Sequence, residues 1–181
     1  MAHLAFQNPK IQDKVTVLKH PDETNNEFML LEVELKPGGR NGWHYHTSFT
    51  EEFFAKSGKL GVQVGRRKLS LAPGESAKVH IGERHYFFNS TNETITFNVR
   101  ISPANAGFLQ ALQIGYGLAS DNLTTQKGVP KKIDHLALLL SLSDTRLTGL
   151  PGIISSLLIK RAHALEKKGL KKKLIEKYCQ E

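Results

Sequence analysis

Three histidines and a glutamate stand in this chain at spacings that suit a metal ion. They occur in two stretches, Gly38-x5-His44-x-His46-x4-Glu51-x6-Gly58 and Gly74-x5-His80-x-Gly82-x2-His85-x3-Asn89. His44 and His46 are two residues apart in an extended stretch, so both side chains leave the same face of a strand and can close on one ion. Glu51 and His85 can complete the set. Neutral imidazoles with one carboxylate suit a divalent transition metal of the iron, manganese, nickel or zinc type, and four protein ligands leave positions open for water or substrate. Glu52 is the nearest competitor of Glu51, but neighbouring strand residues face opposite sides, and the distance to Gly58 selects Glu51. His3, His20, His80, His135 and His163 stand alone and read as ordinary core or surface residues.

The elements that must position these residues are short strands. EFMLLEVEL at 27–35 alternates through Leu31, Val33 and Leu35, and similar runs occur at 60–64, 68–71, 77–81 and 94–101. Turn signals separate them: Lys36-Pro37-Gly38-Gly39, Ser57-Gly58-Lys59, Ala72-Pro73-Gly74-Glu75 and Asn89-Ser90-Thr91-Asn92. Strands this short and evenly spaced predict a mainly β sandwich or barrel of the jelly-roll kind over residues 14–102. Alternation sends Phe53 inward after Glu51 and Phe87 inward after His85, an aromatic wall near the ion, while Trp43, Tyr45, Tyr86 and Phe88 face away. For all six, core or intersheet packing is preferred to substrate contact, although an apolar mouth over a metal suits a small organic molecule. Arg100 lies on the polar side with Thr96 and Asn98 and is expected to be solvated.

On those residues the chain resembles the cupin superfamily, small double-stranded β-helix barrels with paired motifs. Gly38, His44, His46, Glu51 and Gly58 match the first motif, and Gly74, Gly82, His85 and Asn89 match the second. His80 departs from the pattern, standing where the family usually has proline ahead of the turn glycine. The resemblance covers roughly residues 27–102. It implies a metal-binding barrel with His44, His46, Glu51 and His85 as ligands, and a dioxygenase-like enzyme acting on a small organic substrate. Isomerases, decarboxylases and non-catalytic proteins also belong to the superfamily, so the reaction does not follow from the ligands. Glu51 is expected to act as a ligand or as a base leaving the ion. The alternative is a small-molecule-binding or sensor barrel without catalysis.

Past Pro103 the texture turns helical. Residues 105–118, 133–142, 153–168 and 170–178 read as helices, with a loop over 121–130, a break at Leu150-Pro151-Gly152 and an interruption at Gly169. The expected organisation is a barrel with an N-terminal arm over 1–103 and a helical extension with a basic tail over 104–181. At 181 residues the chain is long enough for one barrel and an appendage. Its formal charge of +8 is concentrated in the tail, where eight Lys or Arg face three Glu from Lys160 onward. A nucleic-acid or membrane reading therefore concerns the tail alone.

Apolar helix faces that cover a sheet or form a homodimer contact are the preferred reading of that tail. Attachment to an anionic membrane surface comes second, through Ile153, Ile154, Leu157, Leu158 and Leu165 beside Lys160, Arg161, Lys167, Lys168 and Lys171–Lys173. Nucleic acid comes last, since no aromatics interleave the basic run. The single Cys179 excludes a disulfide framework, and the start of the chain shows no secretory signal, so a cytoplasmic location, peripheral to a membrane under the second reading, is expected. There is no phosphate-cradling glycine loop, nucleophile elbow or Cys-x2-Cys pair, so chemistry is assigned to the ion.

Overall fold

In a computed structural model that describes residues 4–149 and 152–179, eleven strands and four α-helices follow one another. The strands are β1 (Ala5–Asn8), β2 (Asp13–Lys19), β3 (Met29–Leu35), β4 (His44–His46), β5 (Thr50–Ser57), β6 (Leu60–Val64), β7 (Arg67–Leu71), β8 (Ser76–Val79), β9 (His85–Phe88), β10 (Ile95–Ser102) and β11 (Thr145–Leu147). The helices are α1 (Ala106–Ser120), α2 (Ile133–Leu142), α3 (Gly152–Lys167) and α4 (Leu170–Tyr178). Two antiparallel sheets face each other, ordered β1-β2-β3-β10-β5-β8 and β11-β4-β9-β6-β7. This is the jelly-roll expected from the strand spacing, with the helices gathered after it.

Alternation explains why these runs pair as they do. Met29, Leu31, Val33 and Leu35 of β3 are buried, as are Ile95, Phe97, Val99 and Ile101 of β10, while the residues between them stay at least partly wet. The two strands pair with Phe97 opposite Val33 and Val99 opposite Leu31, so one apolar surface runs across both. Phe49, Phe53, Leu60 and Val62 fill the space between the sheets, each fully buried side chain stabilising the fold by about 1.5–3 kcal/mol. A one-residue slip would turn these faces outward, so burial sets the register.

The motif glycines are where the chain must turn sharply. Gly58, between β5 and β6, has φ 72°, and a Cβ there would lie 2.5 Å from the Ile95 side chain, so both backbone and space exclude a larger residue. Gly82 has φ 80°, and its N–H donates to the carbonyl of His46, tying the turn before β9 to β4.

The C-terminal half is more than an appended set of helices. Asn105 caps α1 by accepting from the N–H of Phe108 at 2.9 Å. From there α1 lies along β1, with Phe6 meeting Tyr116 edge-on at 5.2 Å and the Tyr116 hydroxyl donating to the buried Asp13. Ile114, Leu118, Leu138 and Leu174 form a second core among α1, α2 and α4. The three residues of β11 then return to the barrel and extend its second sheet beside β4. The sequence predicts no strand at these residues. TRL is too short to show a period, and its surroundings read as the end of a helix.

Candidate metal centre

His44 and His46 project from β4, His85 from β9 and Glu51 from β5, so the second sheet supplies three imidazoles and the first sheet the carboxylate. His44 sits directly opposite His85 in the β4–β9 pairing, with ring centroids 4.2 Å apart. One ligand atom from each of the four residues lies within 4.8 Å of all the others. Glu52, the competitor beside Glu51, is turned to the other face and remains partly exposed, whereas Glu51 is buried.

Each imidazole is held from behind by a backbone carbonyl. His44 Nδ1 is 2.8 Å from the Gly42 oxygen, His85 Nδ1 is 2.9 Å from the Glu83 oxygen, and His46 Nδ1 is 3.3 Å from the Asp144 oxygen. A carbonyl only accepts, so each Nδ1 carries a proton. Nε2 of His44 and of His46 is then left as a lone pair, while His85 Nε2, facing the Glu51 carboxylate, shares a proton with it until an ion takes its place. This is the arrangement that outer contacts impose on metal-ligating histidines. His46 Nε2 is buried with no hydrogen-bond partner, 3.6 Å from Glu51, and such an orphaned acceptor is costly unless something fills its lone pair. His85 Nε2 lies 2.6 Å from Glu51 Oε2. The donor set and the orphaned nitrogen both fit a divalent transition metal.

The electrostatics agree with that fit. Burial raises the Glu51 carboxyl, but its contacts with His46 and His85 together outweigh burial and hold it well below the usual carboxylate range. Burial, followed by the neighbouring His85, pushes His44 down to about 3, so it is a neutral donor. His85 is shifted upward: burial disfavours its charge, yet the Glu51 carboxylate beside it prevails. Without an ion, Glu51 and His85 form a buried pair, and a metal entering there displaces the proton between them.

Two supports of this centre are absent from the sequence reading. The first is Asp144, which lies ninety-eight residues from His46, has φ 48°, and precedes β11. Its carboxylate accepts from the Thr47 N–H and hydroxyl at 2.7 Å each and from the Ser48 hydroxyl at 2.8 Å, while Arg146 lies 3.4 Å away. Its own carbonyl orients His46, so the end of β4 is clamped by a residue from the C-terminal half. The second is an aromatic floor. Phe49 stacks on His46 at 4.3 Å, and Phe108 of α1 meets both rings edge-on at 5.7 and 5.5 Å. An aspartate in a Ser-Asp-Thr segment and a phenylalanine on an amphipathic helix carry no local signal of either role.

Position 80 also gains a meaning. The N–H of His80 donates to Glu83 Oε2 at 2.8 Å, a bond that proline could not make, and Glu83 in turn offers its carbonyl to His85. The turn is held by a hydrogen bond instead of a ring.

Phe53 and Phe87 both point into the barrel, 6.2 Å from each other and close to Phe97, with Phe53 6.2 Å from His85. Phe53 is wholly buried in the core and Phe87 half-buried. Trp43, Tyr86 and Phe88 form a separate row, with Trp43–Tyr86 at 4.6 Å and Tyr86–Phe88 at 5.6 Å, and Tyr45 on β4 is half-buried. Arg100 is exposed and lies over the Phe28 ring. His80 and His163 are exposed, His20 caps a short 3-10 turn, and His135 is buried on α2; His3 and the Leu150-Pro151 break lie outside the described residues.

Residues 31–99 match the model of the cupin domain. Solved structures similar to the chain include a protein described as a predicted oxalate decarboxylase from Thermotoga maritima, at 20% identity over 50% of this chain and 79% of that one, with a TM-score of 0.48. A sugar phosphate isomerase from Silicibacter pomeroyi is similar at 22% identity over 56% and 68% of the two chains, with a TM-score of 0.46. The polyketide cyclase RemF from Streptomyces resistomycificus is similar at 24% identity over 51% and 66%, also with a TM-score of 0.46. No curated protein matches the chain.

Proposed function

We propose that this chain, whose residues 31–99 are a cupin domain, is a metal-dependent enzyme of the dioxygenase type acting on a small organic substrate. The observation that supports this most is the convergence of three Nε2 atoms and one ionised carboxylate, with His46 Nε2 left without a hydrogen-bond partner. His44, His46, Glu51 and His85 would hold one divalent ion. An ion of the iron, manganese, nickel or zinc class supplies Lewis acidity when bound, and iron or manganese adds one-electron chemistry. The carbonyls of Gly42, Glu83 and Asp144 keep the three rings aimed, and the Phe49–Phe108 floor excludes water on the His46 side. Glu51 stays ionised, and beside His85 it has the geometry to hold or return a proton at Oε2.

Elemental analysis of the purified protein beside a His85→Ala variant tests the reading. A near-stoichiometric transition metal that falls to background in the variant is expected, followed by oxygen uptake after ferrous reconstitution. A chain that stays empty on reconstitution overturns it.

One feature favours a second reading, a non-enzymatic sensor whose tail contacts a second copy of the chain or an anionic membrane surface. Ile153 and Leu157 of α3 are 76% and 58% exposed, with Lys160 one turn on, and Lys172 and Lys173 on α4 are exposed as well. No helix among the described residues is long and apolar enough to cross a membrane, so any membrane contact of the helices is at the surface. Liposome flotation and the mass in solution of the wild type and an Ile153→Ser/Leu157→Ser variant separate these outcomes.

A further inference from the structure

A cavity of about 350 Å³ lies away from the four metal ligands, none of which lines it. Three segments distant in sequence build its walls: the turn after β1 with Lys10 and Ile11, the loop before β4 with Arg40, Asn41 and Gly42, and the α1–α2 loop with Lys127. No acidic residue lines it. Among the described residues, none of Lys10, Arg40 and Lys127 forms an ion pair with a carboxylate.

Two of these cations are held in place by contacts that leave their charge uncompensated. Lys10 Nζ donates to the side-chain oxygen of Asn122 at 3.0 Å, and the Arg40 guanidinium rests over the Tyr86 ring at 5.0 Å. Like charges gathered on a concave surface repel one another, and the concavity focuses their field on whatever enters. A guanidinium offers a planar fork that matches a carboxylate or phosphate, and lysines add point charges. Ile11 supplies an apolar wall for a hydrocarbon portion. The volume is at the small end of ligand sites, which run from about 300 to 1,000 Å³.

We propose that this cavity binds a small organic anion through a carboxylate or phosphate group, at a site distinct from the metal centre. The loop before β4 borders both places. Gly42 lines the cavity while its carbonyl orients His44, and Asn41 lines it while its side chain accepts from the Phe87 N–H. An occupant therefore rests on the segment that aims one metal ligand.

Titration of the full-length 15N-labelled protein, metal-free and metal-loaded, with inorganic phosphate and separately with succinate at fixed ionic strength tests this. Saturable shifts of the Arg40, Asn41, Gly42 and Lys127 amides are expected, with affinity weakened at least about tenfold in Arg40→Gln/Lys127→Gln. A Lys171→Gln/Lys172→Gln control removes the same charge from the tail and should bind as the wild type does. Tighter binding of phosphate identifies a phosphate ester as the ligand class, and tighter binding of succinate a carboxylate. Lys10→Gln provides a second lesion should the double variant misfold. The absence of saturable shifts in the 40–42 loop, or equal weakening in the cavity and tail variants, overturns the proposal. Because the metal-free protein is read too, failure here is separable from failure of the metal reading.

Discussion

The barrel and the C-terminal half use their apolar residues differently. Within the barrel, alternate strand residues of β3, β5, β6 and β10 fill a shared core, and three of the buried polar residues, His46, Glu51 and His85, converge on one point with His44. The C-terminal half divides in two. Its first part, α1 through β11, reaches the barrel through specific contacts: Tyr116 on Asp13, Phe108 on His46 and Phe49, and Asp144 on Thr47, Ser48 and His46. Its later part, α3, packs Leu158 and Ala162 against α2 and leaves Ile153, Ile154 and Leu157 in solvent. Position along the chain therefore says little about which segments belong to the site. What decides it is whether a segment supplies a partner that the barrel lacks.

The contact between α1 and β2 should give the largest effect. Burial pushes the Asp13 carboxyl up to about 7, against an opposing pull from the Tyr116 hydrogen bond, and Oδ1 has no partner. In the unfolded chain Asp13 ionises near 3.8. The unfolded state therefore loses its proton first as pH rises, and this group's contribution to stability falls between about pH 4 and pH 7 and is flat above, by roughly 4 kcal/mol in all. Asp13→Asn removes that slope. Urea unfolding at pH 4.5 and pH 8 should show the variant gaining on the wild type at the higher pH; parallel changes in the two proteins would show that this contact is not strained at neutral pH.

The clamp between β11 and β4 comes next. Asp144→Ala removes the acceptor for Thr47 and Ser48 and places alanine at a left-handed φ, so His46 loses its fixed orientation. Metal affinity, read by competition with a chromophoric chelator, should fall about 10- to 100-fold. Asp144→Asn tolerates the same backbone and keeps one acceptor oxygen, so it should lie between. An unchanged affinity in Asp144→Ala would return the C-terminal half to the role of a cover.

The smallest effect belongs to α3. Ile153→Ser/Leu157→Ser should alter stability by less than about 0.5 kcal/mol per site, because neither side chain is buried. Thermal unfolding checks this. A larger loss that depends on protein concentration would mean that a second copy covers this face.

Much of this was legible before any coordinates. The period-two pattern of β3 and β10 is visible in MLLEVEL and ITFNVRI, and α2 has the bounds expected of it, Ile133–Leu142. His44, His46, Glu51 and His85 come together as their spacing requires. Thr145–Leu147 was not legible as a strand, since three residues pair with β4 only because the chain returns there after α2. Asp144, Phe49 and Phe108 gave no sign of their part in the centre, because each acts through a neighbour distant in sequence.

The sequence by itself determined the barrel, its turns and the identity of the four converging donor residues. Alternation, positive-φ glycines and donor spacing are local properties, and they survive being read in one dimension. The tertiary structure decided which nitrogen His44, His46 and His85 each turn to a backbone carbonyl, what clamps β4, and that three cations from three segments share one cavity. These include relations between residues more than ninety positions apart, and only folding sets the distances on which hydrogen bonds and charges depend.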